Sequence, residues 1–350
     1  MSTATHPPDS SNNSQARSSN NSESPYIGRF APSPSGPLHM GSLIAAMASW
    51  LDARKANGKW LVRMEDLDPP RETREAADQI LDALDKIGLH WDDQVLYQSQ
   101  RSEAYQDAIN TLVEHDMVFA CDCSRQQIQE SGGIYPGTCR QRHLPDGPGT
   151  AIRLRVADKS ISFTDAIQGE QTQQLEQQVG DFVIRRKDDL FAYQLAVVVD
   201  DSFQNISHIV RGIDLMDSTP RQIYLQQVLG RFLPRSHSNL QPNLQPNFQP
   251  NFQPNYAHIP VIVNDLGQKL SKQHRASPID PANGASLLFA GLCYLKQEPD
   301  TGLKTASCEE ILAWGIAHWT PEKLSSTRTL TEFSPAGITG LIRPLTKMSL

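Results

Sequence analysis

The chain has 350 residues, room for about two domains, and its 38% hydrophobic and 20% charged content is that of a globular protein. No apolar run approaches the ~20 residues that a membrane-spanning helix needs, so no membrane role is expected. The formal net charge of −7 supplies no overall basic signature for nucleic acid, and any RNA contact must use a local patch against an unfavourable global field.

Residues 1–25, rich in serine and asparagine, are predicted to form a disordered tail, because they cannot bury enough surface to offset the entropy of ordering. They have neither the apolar core of a signal peptide nor the arginine-rich pattern of a transit peptide, so a cytoplasmic location is expected. Tyr26–Phe30 then reads as a short buried strand. After it comes a loop dense in glycine, proline and serine that runs through Gly36, His39 and Gly41 into the apolar stretch Leu43–Trp50, a helix. A helix start after a strand offers unpaired N–H groups and positive dipole charge, and His39 adds a donor, so the segment suits a phosphate group. An ordinary strand-to-helix turn is the plain alternative.

Trp60–Met64 predicts a second strand. Further on, Cys121, Cys123, Tyr135 and Cys139 make a Cys-x-Cys-x11-Tyr-x3-Cys pattern holding three of the five cysteines. Such clustering suits a zinc site in a reducing compartment better than a disulfide framework, although three nearby cysteines can equally be buried thiols. His143 is the other candidate for fourth ligand by chemistry. A helix is predicted over Arg221–Phe232 and a strand over His258–Val263. Between them Asn-Leu-Gln-Pro occurs twice and Asn-Phe-Gln-Pro twice; proline at every fourth position favours extended backbone, so residues 236–256 read as an exposed insert with no required role. Helical stretches over Ala285–Leu295 and Cys308–Ala317 complete the pattern.

Residues 28–42 resemble the first signature of class I aminoacyl-tRNA synthetases of the glutamyl branch, with His39-Met40-Gly41-Ser42 standing for His-Ile-Gly-His. Lys269-Leu270-Ser271-Lys272-Gln273 stands where that family has Lys-Met-Ser-Lys-Ser. Between them the segments Val62–Arg71, Leu190–Asp201 and Ile209–Leu215 match the same pattern, so the resemblance covers residues 26–276. It implies an α/β fold: a Rossmann-like doubly wound parallel sheet over 26–276, a zinc-bearing insert over 121–150, and a small helical C-terminal region over 277–350. Only 77 residues follow Gln273, too few for the anticodon-binding region of a full glutamyl enzyme. With Gln273 and the cysteine cluster, that truncated plan is similar to the glutamyl-queuosine branch, whose members modify tRNA.

Membership in that branch implies activation of L-glutamate with ATP and Mg2+, then transfer to queuosine in the anticodon of tRNA(Asp) without charging the acceptor end. It places His39, Lys269 and Lys272 as catalytic groups on the phosphates, with Gly41 and Ser42 also at ATP. Glu65 takes the α-ammonium of glutamate, with Asp66 and Asp68 as runners-up by chemistry. Arg29 and Arg211 take the carboxylates, Arg29 the side-chain one, because a guanidinium fork gives bidentate geometry. Tyr193 adds a hydroxyl, and Phe30, Ala31, Pro32 and Ser33 complete the glutamate site. The same resemblance favours Cys121, Cys123, Tyr135 and Cys139 as the ligands of one structural Zn2+. Trp91-Asp92-Asp93 and Arg140-Gln141-Arg142-His143 are candidate RNA contacts or simply solvated faces. No oligomeric partner is indicated, and a monomer is expected. Two other functions stand beside this one: a reduced glutamyl-tRNA synthetase charging tRNA(Glu), and a non-catalytic zinc- or RNA-binding module.

Overall fold

The computed structural model of the chain describes residues 25–69, 71–232, 248, 252–263, 277–324 and 329–331. The N-terminal tail up to residue 24, most of the repeat insert and the second signature with Lys269 and Lys272 lie outside the described residues.

Strand β1 (Ile27–Phe30), helix α1 (Met40–Lys55), β2 (Lys59–Met64), α2 (Arg74–Lys86) and β3 (Leu96–Tyr97) build the first unit, whose strands pair in parallel in the order β1-β2-β3. The chain continues through α3 (Ser102–Glu114), β4 (Val118–Cys121), α4 (Arg125–Glu130) and β5 (Ala151–Leu154). Next come β6 (Ser160–Asp165), β7 (Gly169–Gln174), the single turn α5 (Leu175–Gln178) and β8 (Phe182–Arg185). Helix α6 (Tyr193–Phe203), β9 (His208–Gly212), α7 (Thr219–Phe232), β10 (Asn255–Ile259) and β11 (Val261–Val263) return to the parallel core. Helices α8 (Gly284–Tyr294) and α9 (Cys308–His318) and strand β12 (Thr329–Thr331), paired with β11, end the described chain.

The parallel part of the predicted sheet is present: β9 pairs with β10, and β9 lies against β1, where the Ser207 N–H donates to the Ile27 carbonyl at 2.9 Å and the Ile27 N–H to Ser207 Oγ at 2.8 Å. The rest departs from one doubly wound parallel sheet. Strands β4-β5-β8 form an antiparallel ladder, and β7 runs antiparallel to β6, which itself joins β10 in parallel. The physical reason lies in β6, whose residues alternate exposed and buried as a one-faced antiparallel strand does, whereas β2 is buried along nearly its whole length. The predicted strand 258–263 is broken in two at Pro260, which has no N–H for a ladder.

Ten of the sixteen residues of α1 are buried, so the helix is enclosed on most sides. Strands β1 and β2 cover one flank; α8 and α9 cover another, and a Cβ on Gly291 would stand 2.3 Å from Met47 Sδ, so a larger residue there would have to displace the buried Met47 side chain. The helices predicted at 221–232, 285–295 and 308–317 correspond to α7, α8 and α9 within a residue or two. Several described residues depart from the exposed insert expected over 236–256: Phe248, 1% exposed, packs in the core cluster with Tyr224, Val228 and Tyr256, Pro254 is buried, and Asn255 and Tyr256 already belong to β10. Among the described residues no helix is long and apolar enough to cross a membrane.

Candidate functional site

The loop after β1 ends at His39, which caps α1: its extended backbone (φ −117°, ψ 170°) lets Nδ1 accept the Ser42 N–H at 3.2 Å. Because Nδ1 accepts, the neutral ring carries its proton on Nε2, which lies 3.0 Å from Ser42 Oγ. Ser42, in the place of the family's second histidine, thus holds the ring of the cap with both its backbone N–H and its hydroxyl. The loop, His39, Gly41 and Ser42 line a cavity of about 560 Å³, within the range of small-molecule sites. Phe30, Ala31, Pro32 and Ser33 line it as well, as do Arg29, Glu65, Tyr193 and Arg211. The structure therefore gathers on one cavity the described candidates for glutamate and ATP, drawn from β1, β2, α6, β9 and the start of α1.

Behind the cavity Arg29 and Glu65 join two buried charges that the sequence reading did not assign, Arg63 and Asp201. Arg29, 3% exposed, donates from Nε to Asp201 Oδ1 at 3.1 Å and from Nη2 to Asp201 Oδ2 at 3.4 Å. Arg63, fully buried, donates to the same Asp201 Oδ1 at 2.8 Å and to Gln204 at 2.9 Å, and its Nη2 stands 3.6 Å from Glu65 Oε1. The Nε–Nη2 edge of Arg29 is thereby committed to Asp201, which leaves its Nη1–Nη2 edge for a ligand carboxylate. Burial pushes the Glu65 carboxyl up to about 7, although Arg63 and Arg29 pull it down. Burial would raise Asp201 too, but Arg29 and Arg63 hold it below the ordinary carboxylate value. Asp66 binds the N–H and hydroxyl of Ser99, and Asp68 pairs with Arg71 and Arg186; neither lines the cavity.

Arg211 on β9 is 5% exposed and directs Nη1 to Tyr193 Oη at 3.4 Å. Its Nε donates to His258 Nε2 at 3.0 Å and its Nη2 to Thr219 Oγ1 at 2.7 Å. Sequence reasoning missed His258, Asp165, Arg63 and Asp201. A usable signal was present for two of them: Arg63 interrupts the apolar run Trp60–Met64, and Asp201 follows Val197-Val198-Val199. A charge inside an apolar segment is buried and must be paired.

A second constellation lies between the antiparallel partners β4 and β5, where Cys121 closes one strand and Ala151 opens the other. The sulfurs of Cys121, Cys123 and Cys139 all lie within 4.8 Å of one another. Tyr135 Oη is 3.6 Å from Cys121 Sγ and accepts the Cys139 N–H at 2.8 Å, whereas His143 is exposed and outside the cluster. Gly180, at φ +69°, lets the Tyr135 carbonyl approach to 2.6 Å of where a Cβ would stand. The surface candidates for RNA contact have internal partners: Asp92 binds Arg54 and the Trp60 N–H, Arg140 is paired with Asp181, and Arg142 with Asp122.

The parallel core, with a helix start and charged groups facing a cavity beyond its strand ends, has the site layout of an open α/β fold. Residues 27–248 match the family model for tRNA synthetases class I (E and Q), catalytic domain, and the chain belongs to that family. Within it, the chain is 49% identical over 311 residues to the glutamyl-Q tRNA(Asp) synthetase of Pseudomonas putida strain KT2440, a match covering 89% of this chain and 96% of that protein. The protein of the same name from Pseudomonas paraeruginosa strain PA7 is 48% identical over 89% of this chain and 99% of its own length. The solved glutamate tRNA ligase of Elizabethkingia meningosepticum has the same fold, with a TM-score of 0.67 at 21% identity, covering 87% of this chain and 67% of that one.

Proposed function

We propose that the chain activates L-glutamate with ATP as glutamyl-adenylate and transfers the glutamyl group to the queuosine base in the anticodon of tRNA(Asp), without charging the acceptor end. The observation that carries this reading is the convergence of Glu65, Arg29, Tyr193 and Arg211 with the capped start of α1 on one cavity, in a chain similar along nearly its whole length to glutamyl-Q tRNA(Asp) synthetases. In this reading Glu65 takes the α-ammonium, Arg211 and the remaining edge of Arg29 take the carboxylates, with Arg29 on the side-chain carboxylate, and Tyr193 orients the ligand. His39, Gly41 and Ser42 flank the triphosphate. Lys269 and Lys272, with Mg2+, are assigned to the phosphates on the sequence signature alone. No protein nucleophile is needed, because the substrate carboxylate attacks the α-phosphorus and the site supplies position and positive charge.

The segment 121–150 is read as a structural zinc site. Three sulfurs and a phenol oxygen suit zinc, and the 3.5 Å between Cys123 Sγ and Cys139 Sγ is close to the ~3.8 Å edge of a tetrahedron with Zn–S bonds of ~2.3 Å. The thiols of the cluster differ: against burial, Tyr135 and Arg153 hold Cys121 below its ordinary value, whereas burial and the hydrogen bond with Cys139 push Cys123 up to about 12. A cytoplasmic location, where thiols stay reduced, belongs to the same reading.

The deciding experiment incubates the protein with labelled glutamate, ATP and either queuosine-containing tRNA(Asp) or tRNA(Glu). Label should appear in tRNA(Asp) and, after mildly acidic nuclease cleavage, remain with the anticodon fragment and not with the 3′-terminal one. Label in tRNA(Glu) instead would identify a reduced glutamyl-tRNA synthetase, and label in neither would leave the non-catalytic module.

A further inference from the structure

Arg211 differs from the other guanidinium groups at the cavity. Arg29 and Arg63 share the carboxylate of Asp201, while Arg211 has no ion pair among the described residues. Its partners are all neutral: the His258 ring at 3.0 Å, the Thr219 hydroxyl at 2.7 Å, the Leu215 carbonyl at 3.4 Å and the Tyr193 hydroxyl at 3.4 Å. A guanidinium buried among neutral acceptors keeps its full charge for an incoming anion, which then becomes its counter-ion.

We infer that His258, fixed by Asp165, is a positioning residue that sets the Arg211 guanidinium for the substrate carboxylate; the inference rests on the reading of Arg211 as a glutamate ligand. His258 stands beside Arg211 in the register of β10 on β9, so their side chains leave neighbouring parallel strands together. Asp165, at the end of β6, accepts the backbone N–H groups of Ile167 at 3.0 Å, Gln168 at 2.8 Å and His258 at 3.1 Å, which clamp its carboxylate in place. That carboxylate lies 2.6 Å from His258 Nδ1. An ionised carboxylate can only accept, so Nδ1 carries the proton and Nε2 presents its lone pair to Arg211 Nε. The imidazole therefore passes on orientation from Asp165 without bringing a negative charge against Arg211. A carboxylate in direct contact would also orient the fork, but would neutralise the charge that the ligand needs.

Glutamate-dependent ATP–pyrophosphate exchange by the purified protein tests this with H258N, H258Q, D165N and R211A, each checked by thermal melting. Asparagine can keep the donor at the Nδ1 place and glutamine the acceptor at the Nε2 place. H258N should raise the KM for glutamate at least tenfold with the KM for ATP within twofold, H258Q should recover most of the lost affinity, and D165N should shift in the same direction by less. H258N added to R211A should cause no further rise, since nothing would remain to position. If R211A raises the glutamate KM and H258N does not, or if H258N raises both KM values alike, the positioning inference is overturned while the pocket reading stands. If R211A leaves the glutamate KM unchanged, the pocket reading itself fails. Should H258N not fold, H258Q and D165N carry the same comparison against R211A.

Discussion

A carboxyl group pushed up to about 7 changes its charge in the range where an enzyme works, and Glu65 is such a group. An α-ammonium is held by the ionised form, so protonation below that value removes the partner. The sign follows: kcat/KM for glutamate in pyrophosphate exchange should rise from pH 6 to pH 8 with an apparent pKa near 7, and the E65Q protein should be weaker and flat over that window. A flat profile for the parent protein would remove Glu65 as the ammonium ligand. Glu65, Tyr193 and Arg211 could be named from the sequence because each sits in a segment of recognisable pattern. Arg63 and Asp201 carried a signal of burial but none of their partners, and Asp165 and His258 carried neither, because pairing across strands distant in sequence is a property of the packed molecule. Arg29 was half legible: its place at the cavity is as expected, but its commitment to Asp201 appears only once α6 lies against β1 and β2.

The element with the most to lose from single changes is the excursion between β4 and β5. If zinc holds it closed, Tyr135→Phe should leave three thiolates and an open position, lowering zinc affinity at least tenfold while keeping the fold, and Cys139→Ser should lose the metal altogether. Metal analysis of the purified parent and both variants checks this; equal retention in all three would refute the ligand set. Gly180→Ala attacks the same element from behind, since it combines a left-handed backbone with a Cβ 2.6 Å from the Tyr135 carbonyl. It should cost about 1–3 kcal/mol in thermal stability, with a loss of zinc that Gly149→Ala, whose Cβ would meet nothing within 4 Å, should not produce. Elements were legible where the apolar pattern was strong, as in α7 and α8. The antiparallel ladders were not, because family pattern spoke for a parallel sheet and the alternation in β6 spans only six residues.

At the scale of the whole molecule, the C-terminal helices are part of the catalytic core and not an appendage to it. Gly291 admits Met47, Gly315 faces Leu51, and Lys55 and Asp52 of α1 bind the carbonyl and indole of Trp319. Removing residues 277–350 would bare several fully buried side chains at about 1.5–3 kcal/mol each, against a total stability of only about 5–15 kcal/mol. A chain ending at residue 276 should therefore be recovered mainly insoluble or without a cooperative melt; a soluble product with glutamate-dependent exchange would contradict that packing argument. The same region also returns to the nucleotide loop, because the Ile279 N–H donates to the Leu38 carbonyl at 2.9 Å and Pro278 bridges to His39. Lys272 precedes that anchor by six residues, so bond lengths alone tether its Cα within about 22 Å of Pro278, whatever path the backbone takes. If Lys272 serves the phosphates as proposed, so short a leash gives its single ammonium an effective concentration of tens of millimolar around Pro278, although the two signatures are more than two hundred residues apart in sequence.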